Sequence, residues 1–265
     1  IPEILRASLD SLVLQIKSMS TSTGNSKETV AVQLARCPDP PALGSVAASE
    51  GMLTRMQAID SDGNITPLGK HLAALPCAPR VGRLLVYGCL LNCALPLANV
   101  AALLSARSPF LATFDQDQRA EQDAIKTRLA AAAGGRSDQL IIVAACAGFE
   151  SCSGAAAQRR YCQEHMLSYP RMQEIRQLTR ELLGNLKQIG LIQKEREARS
   201  PEAPCNSNAA SFRIVAAAIS AGMYPQVAKI LRPPKRFEDV MGSALEKQAT
   251  SNEIKFYVPL AVHSQ

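Results

Sequence analysis

The chain has 265 residues, of which 47% are hydrophobic and only 4% aromatic, with no tryptophan and a formal net charge of +6. Such a length allows one large domain or several small ones, and cores built from Ala, Leu, Val and Ile favour the packing of helix on helix. No run reaches the roughly 18 uninterrupted apolar residues of a membrane-spanning helix, and no signal peptide is visible, so the composition excludes a membrane protein of that type.

The N-terminal part, residues 1-75, predicts a small winged-helix domain. Apolar residues at helical spacing indicate helices at Leu9–Ile16, Val30–Leu34 and Leu43–Ile59, separated by a polar loop at Ser18–Lys27. Gly63 and Asn64 favour a tight turn after the third helix. The first 60 residues hold five basic and six acidic residues. That balance argues against a reader of DNA grooves and favours a structural or protein-facing role.

A proline-rich joint follows this domain. Thr66 is a candidate N-cap with Pro67 at the first helical position, and Pro76 and Pro79 end the short helix. Arg80 and Arg83 then lie at the start of a very apolar helix. From Gly63 to Phe114 there is no Asp or Glu. Two interpretations stay open: a local positive field that attracts phosphate, or a buried region with few charges of either sign.

Residues 76-208 predict a helical bundle. An apolar helix at Val81–Leu95 is typical of a bundle centre, and a second buried helix follows at Leu97–Leu104. Ser105, Arg107 and Pro109 lie in the polar turn that ends it. Small hydroxyls and an arginine at a helix end are able to hold a phosphate or a sugar, although ordinary helix termination explains the same residues.

The rest of this bundle alternates helices with short breaks. The pattern predicts further helices at Gln116–Ala133, Gln139–Phe149, Gln158–Leu167 and Pro170–Ile189. It also predicts a loop of small residues at Gly148–Ala157 and a linker or surface loop at Lys194–Asn208. Ser137 and Asp138 are predicted to cap the second of these helices. The basic residues on the last helix are predicted to form a solvated face.

Residues 209-265 change in character. A short amphipathic helix at Phe212–Ile219 precedes two strand-like runs, Val227–Leu231 and Ile254–Val262, of which the second alternates strictly between apolar and polar residues. Two strands do not make a stable sheet alone. We therefore predict a mainly α fold in which a β domain begins at the C-terminal end.

Motifs of self-contained catalysis are absent from the sequence. There is no GxxxxGK[ST] phosphate loop, GxGxxG, GxSxG or HExxH. Eight cysteines without a CxxC pair indicate buried thiols in an intracellular, reducing compartment, and Cys89 with Cys93 makes at most half a metal site. We predict no cofactor or metal in this chain, and an accessory module that is not catalytic alone.

Several motifs, in order, resemble the C-terminal half of DEAH-box (DEAH/RHA) RNA helicases. They are Pro38-Asp39-Pro40-Pro41, Asp60 and Gly63 with Thr66-Pro67-Leu68-Gly69, Leu75-Pro76 with Pro79-Arg80-Val81-Gly82-Arg83, Ala101-Ala102-Leu103-Leu104-Ser105 with Pro109-Phe110, Ser137-Asp138, Ala221-Gly222-Met223-Tyr224-Pro225 and Val262-His263-Ser264. The resemblance covers nearly the whole chain. It implies a winged-helix domain, a ratchet (helicase-associated) domain and the start of an OB-fold.

The resemblance also implies a function for the parent protein. Such a parent is an ATP-dependent 3′-to-5′ RNA helicase, with ATP and Mg bound in RecA-like motor domains that this chain lacks. The expected partners are single-stranded RNA or ribonucleoprotein, those motor domains and an activating protein at the OB-fold. Ser105 and Arg107 are the first candidates for RNA binding, followed by Arg80 and Arg83. The alternative is a catalytically inactive helicase-like scaffold.

Overall fold

The fold is mainly α, as the sequence predicts. The computed structural model describes residues 2–23, 28–134, 137–225, 229–230 and 256–257. The chain divides into two compact units, residues 1–223 and residues 224–265. The first unit holds two apolar cores, one in a winged-helix domain and one in the helical bundle that follows.

Four helices of the described residues supply most of the first core. They are α1 (Asp10–Thr23), α2 (Val30–Leu34), α3 (Leu43–Arg55) and α4 (Pro67–Ala74). Val13, Leu14 and Leu53 are among the side chains that meet there. The prediction of a loop at Ser18–Lys27 is wrong for its first residues, because α1 continues to Thr23. The Ser20 hydroxyl donates to the Ile16 carbonyl at 2.9 Å, a bond that serine can make without leaving the helix.

A tight turn forms the wing between α3 and α4. Ile59 and Ile65 pair as an isolated antiparallel bridge, and the Asp60 carboxylate accepts from the backbone N–H groups of Asn64 (2.8 Å) and Asp62 (2.9 Å). These bonds, that from Asn64 first, hold the pKa of Asp60 below its usual value. Because the folded pKa is lowered, the turn is stabilised at neutral pH and loses this support as the pH falls through that pKa.

The predicted start of α4 is confirmed. Thr66 is the N-cap, and its hydroxyl oxygen accepts from the Gly69 N–H at 3.0 Å, with Pro67 at the first helical position. Gly69 lies so close to the wing that a Cβ there would stand 2.0 Å from the Ala58 carbonyl oxygen. The sequence predicts where this helix begins, and the structure adds how closely it approaches the wing.

Among the residues that the structure describes, the first unit has eight further helices. They are α5 (Pro79–Leu90), α6 (Ala94–Ser105), α7 (Gln116–Ala132), α8 (Asp138–Ser151), α9 (Gly154–Glu164), α10 (Tyr169–Gln188), α11 (Glu195–Ala198) and α12 (Phe212–Met223), with short 3-10 turns at Glu3–Leu5 and Pro204–Asn206. The second core takes residues from most of them, among them Leu84, Leu97, Leu183 and Val215.

The break between α5 and α6 differs from the prediction. A single helix was expected to Leu95, but α5 ends at Leu90 and Asn92 adopts a positive φ of 50°. Asparagine tolerates that conformation better than most residues. Pro96 then lies in the first turn of α6, where its missing N–H costs nothing.

Two predicted loops are shorter or better packed than expected. Helix α8 runs to Ser151 and α9 begins at Gly154, which leaves little of the predicted small-residue loop. The predicted linker at Lys194–Asn208 contains α11 and a 3-10 turn. Asn206 is only 1% exposed there, and its Oδ1 accepts from the Leu95 N–H at 2.8 Å. A polar residue can therefore anchor a loop to the core.

Helix α5 takes part in both cores. Leu84 and Leu85 are buried in the bundle, whereas Val86 is buried in the winged-helix core. Since three successive residues of a helix point in different directions, one short element serves both cores.

The second unit is described at Lys229–Ile230 (β1) and Phe256–Tyr257 (β2). These strands pair in antiparallel fashion, with Lys229 opposite Tyr257 and Ile230 opposite Phe256. The other residues of the two predicted strands lie outside the described residues. The OB-fold and the domain limits 1-75, 76-208 and 209-265 stay predictions.

Candidate nucleic-acid interface

The end of α6 exposes the two residues that the sequence ranks first. Ser105 is the last residue of the helix and Arg107 follows two positions later, and both are exposed. The Ser105 hydroxyl donates to the Ala101 carbonyl at 3.0 Å. Its oxygen keeps acceptor capacity on the outer side, because one hydroxyl carries one donor and two lone pairs.

The segment after α6 is held by backbone hydrogen bonds to the start of α10. Phe110 and Leu167 form an antiparallel bridge. The Leu111 N–H donates to the Met166 carbonyl at 3.0 Å, and the Ser168 N–H donates to the Pro109 carbonyl at 2.8 Å. Arg107 therefore extends from a fixed backbone and not from a free loop.

Side chains of α7 and α10 reinforce the same segment. Nη1 of Arg171 donates to the Ser108 carbonyl at 2.8 Å and to the Phe110 carbonyl at 3.5 Å. Nε2 of Gln122 donates to the Leu111 carbonyl at 2.8 Å. The Lys126 ammonium lies 5.1 Å from the centroid of the Phe110 ring, within the range of a cation–π contact.

Arg171 and Lys126 were not among the predicted site residues. The basic residues of α10 were predicted to form a solvated face, but Arg171 contacts the interface segment and Arg176 pairs with Glu150 at 2.9 Å. The partners of Arg171 lie 63 and 61 positions away in the chain. No local pattern in the sequence signals such a contact.

An exposed aromatic ring follows the same segment. Phe114 is 89% exposed, and the neighbouring Leu111 is 45% exposed. Nε of Arg119 donates to the Thr113 carbonyl at 3.5 Å, which places a cation beside this stretch. An exposed ring of this kind offers a stacking surface for a base, since every base has a π-face.

Arg80 and Arg83 lie apart from this segment, on the first turns of α5. Arg83 is 5% exposed, and its guanidinium lies 5.4 Å from the centroid of the Tyr87 ring. It has little surface to offer a ligand. Arg80 is half-buried, and its Nε has no hydrogen-bond acceptor among the residues that the structure describes. RNA binding by these two arginines stays a prediction.

The described residues hold no metal centre. No three side chains of His, Cys, Asp or Glu in residues 2–23, 28–134 and 137–225 come together as a potential ligand set. Burial raises the pKa of Cys89 to about 12 and that of Cys93 to about 11, which disfavours the thiolate that binds metals. No helix in the same ranges combines the length and hydropathy needed to cross a bilayer.

Two family models match consecutive parts of the chain. Residues 49–77 match the winged-helix model of the helicase-associated domain (HA2), and residues 78–159 match the ratchet-like model of the same domain. The match therefore passes from one model to the next at the proline-rich joint before α5.

Curated relatives cover most of the chain. It is 35% identical over 233 residues to the ATP-dependent DNA/RNA helicase DHX36 of Mus musculus, which covers 87% of the chain and 22% of that protein. It is 30% identical over 264 residues to the putative ATP-dependent RNA helicase DHX57 of Homo sapiens, which covers 94% of the chain and 18% of that protein.

A plant relative matches the chain at a similar identity and over a similar share of its length. The DExH-box ATP-dependent RNA helicase DExH3 of Arabidopsis thaliana is 33% identical over 236 residues, which is 88% of the chain and 18% of that protein. The chain thus spans about a fifth of the length of these relatives. It belongs to the helicase-associated region of DEAH-box RNA helicases, with a winged-helix domain followed by a ratchet-like domain.

Proposed function

We propose that this chain is the RNA-binding accessory module of an ATP-dependent 3′-to-5′ DEAH-box RNA helicase. It grips single-stranded RNA or ribonucleoprotein and couples movement of the motor domains to unwinding or remodelling. ATP and Mg bind in RecA-like motor domains of the same polypeptide, and an activating protein docks on the OB-fold. The matches to helicase-associated domains and to helicases that are much longer than this chain support the proposal.

One observation carries the RNA-binding part of the proposal. Ser105 and Arg107 are exposed at the end of α6, and the segment that follows is fixed by Arg171 and by backbone bonds to the start of α10. A fixed cation and a hydroxyl oxygen can hold a phosphate and a ribose without reading the base sequence. Phe114 adds a surface on which a base can stack.

The winged-helix domain has a supporting role in this proposal. Its α1 carries Lys17, which pairs with Glu50 at 2.9 Å and donates to the Gly63 carbonyl at 2.9 Å. A cation that is engaged inside the domain in this way is not available to a nucleic-acid groove. Val86 of α5 is buried in the core of this domain, so we expect the domain to act as a packing hub for the bundle.

The first test replaces Ser105 and Arg107 with Ala, singly and together, in the 265-residue chain. We expect Arg107→Ala to weaken the affinity for a labelled single-stranded oligonucleotide by about threefold to tenfold, because one phosphate contact is lost. Fluorescence anisotropy at several salt concentrations measures this affinity. The negative slope of log K against log[salt] should become smaller in magnitude by about 0.7, the value for one phosphate contact to a single strand.

Arg55→Ala is the matched control for this test. Arg55 is an exposed arginine in the last turn of α3, far along the chain from the interface segment. Its replacement should leave both the affinity and the salt slope unchanged. Unchanged RNA binding in the Ser105→Ala and Arg107→Ala variants, with circular dichroism spectra like those of the parent, would remove these residues from the interface.

A further inference from the structure

A half-open pocket of about 340 Å³ lies beside the segment that follows α6. Leu103, Ile141 and Ile142 supply its apolar walls, and Phe110 supplies an aromatic ring. Ser108, Lys126 and Asp138 supply its polar groups. These residues come from the end of α6, the segment after it, α7 and the start of α8, so the pocket adjoins Ser105 and Arg107 in the chain.

The pocket holds a cation and an anion that do not pair with each other. The Lys126 ammonium lies over the Phe110 ring, and no ion pair joins Lys126 or Asp138 to another residue in the described part of the chain. Asp138 is in the first turn of α8 and is exposed. A ligand that offers both hydrogen-bond donors and an acceptor would satisfy both groups.

The Ser137 side chain does not cap α8. Ser137 occupies the N-cap position, but its side chain makes no cap hydrogen bond and instead donates to the Gln139 Oε1 at 2.9 Å. The predicted capping by Ser137 and Asp138 is therefore not what the side chains do. Asp138 lies in the first turn of α8 and is one of the residues that line the pocket.

We infer that this pocket receives one unstacked base of single-stranded RNA and that Asp138 reads its Watson–Crick edge, with a preference for guanine. The inference rests on the proposed function, because it needs RNA bound along the adjacent Ser105 and Arg107. The volume is at the small end of the range for ligand pockets, roughly 300–1,000 Å³, and suits a single planar ring system.

The preference for guanine follows from the donor pattern of the bases. An ionised carboxylate only accepts hydrogen bonds, and its two oxygens can accept two parallel N–H groups. Guanine presents two such donors side by side, at N1 and at the N2 amino group, whereas the Watson–Crick edges of adenine, cytosine and uracil each present one donor position. Guanine O6 is an acceptor, which suits the Lys126 ammonium.

The test measures base preference directly. The 265-residue chain is titrated against labelled U-rich strands of equal length that carry one central G, inosine, A or U. We expect the strand with G to bind about fivefold or more tightly than the strands with A and U, as a bidentate contact does. Inosine, which lacks the N2 amino group, should fall between G and A.

Asp138→Asn is the decisive variant. The amide keeps the size of the side chain but lacks the second acceptor oxygen, so the preference for G should fall below about twofold while binding to the all-U strand is unchanged. Asp117→Asn is the matched control, because Asp117 is an exposed carboxylate in the first turn of α7 outside the pocket. It should keep the full preference for G.

The outcomes separate this inference from the proposed function. Wild-type chain that binds all four strands equally, or an Asp138→Asn variant that keeps the preference for G, would overturn the base pocket and leave the RNA-binding module standing. Wild-type chain that binds none of the strands would overturn the proposed function and the base pocket with it.

Discussion

Arg171 illustrates how much of the interface depends on single residues. One of its guanidinium nitrogens contacts the carbonyl oxygens of Ser108 and Phe110, on either side of Pro109. Hydrogen bonds from a charged donor are stronger than neutral ones, and the rigid fork of arginine loses little entropy in making them. Arg171 thus positions the segment that carries Arg107.

Arg171→Ala should loosen this segment. We expect a loss of about 1 kcal/mol in the free energy of unfolding, since the charged donor is replaced by water. Amide hydrogen exchange at Leu111 and Ser168, whose N–H groups bridge the segment and α10, should accelerate. Lys187→Ala, at an exposed site near the other end of α10, is the control and should leave these two amides unchanged.

RNA binding separates a positioning role from direct contact with phosphate. Arg171→Ala should weaken affinity while changing the salt slope less than Arg107→Ala does, because the inward hydrogen bonds of Arg171 release no counterion from RNA. A salt slope that falls as far as in Arg107→Ala would make Arg171 a phosphate ligand. Equal exchange rates in Arg171→Ala and the parent would show that the backbone bonds suffice.

At the scale of elements, local signals identified helix starts better than helix ends. Thr66-Pro67 and Tyr169-Pro170 mark true beginnings, because a cap or a proline acts within one turn. The end of α5 and the packing of residues 194–208 were missed. The end of α5 is bonded to Asn208, whose Nδ2 donates to the Leu91 carbonyl 117 positions away. Residues 194–208 are held by Asn206, whose Oδ1 accepts from the Leu95 N–H 111 positions away.

In the candidate interface too, features set by local sequence were predicted and features set by distant contacts were missed. Exposure of Ser105 and Arg107 follows from the polar turn that ends an apolar helix, so the sequence predicts it. The burial of Arg83 follows from packing around α5, and the contacts of Lys126 with Phe110 follow from the tertiary arrangement. Neither leaves a periodic pattern in the chain.

The wing and α4 give a prediction at the element scale. A methyl group at Gly69 would clash with the Ala58 carbonyl oxygen and with Cγ1 of Ile65, at 2.8 Å. Because one clashing atom is backbone, relief requires α4 to move from the wing. Gly69→Ala should therefore destabilise the protein by about 3 kcal/mol, at the upper end for overpacking.

Urea denaturation of Gly69→Ala and Gly51→Ala tests this expectation. A Cβ at Gly51, within α3, would meet no heavy atom within 4 Å. Alanine should therefore stabilise the chain by about 0.5–1 kcal/mol there, by reducing the entropy of the unfolded state. Equal stabilities for the two variants would contradict the close approach of α4 to the wing.

At the scale of the whole molecule, Asn206 joins parts of the bundle that are distant in sequence. Its Nδ2 donates to the carbonyls of Ala198 (2.7 Å) and Ser200 (2.8 Å) while its Oδ1 accepts from the Leu95 N–H. A buried amide with all these bonds made is stabilising, whereas one with a missing donor is costly.

Asn206→Asp should destabilise the whole first unit by about 3 kcal/mol at neutral pH, because a buried carboxylate cannot donate to the two carbonyls. Thermal unfolding followed by circular dichroism measures the effect. Ser207→Ala, at the exposed neighbouring position, should stay within about 0.5 kcal/mol of the parent. A midpoint unchanged by Asn206→Asp would show that water reaches this site.

The burial of Val86 in the winged-helix core, one residue after Leu85 in the bundle core, has a mechanical consequence. The two family models meet at residues 77 and 78, but the packing does not divide there. A fragment cut at that point would expose apolar surface on both pieces. Because α5 contributes to both cores, we expect the two matched regions to unfold together and not one after the other.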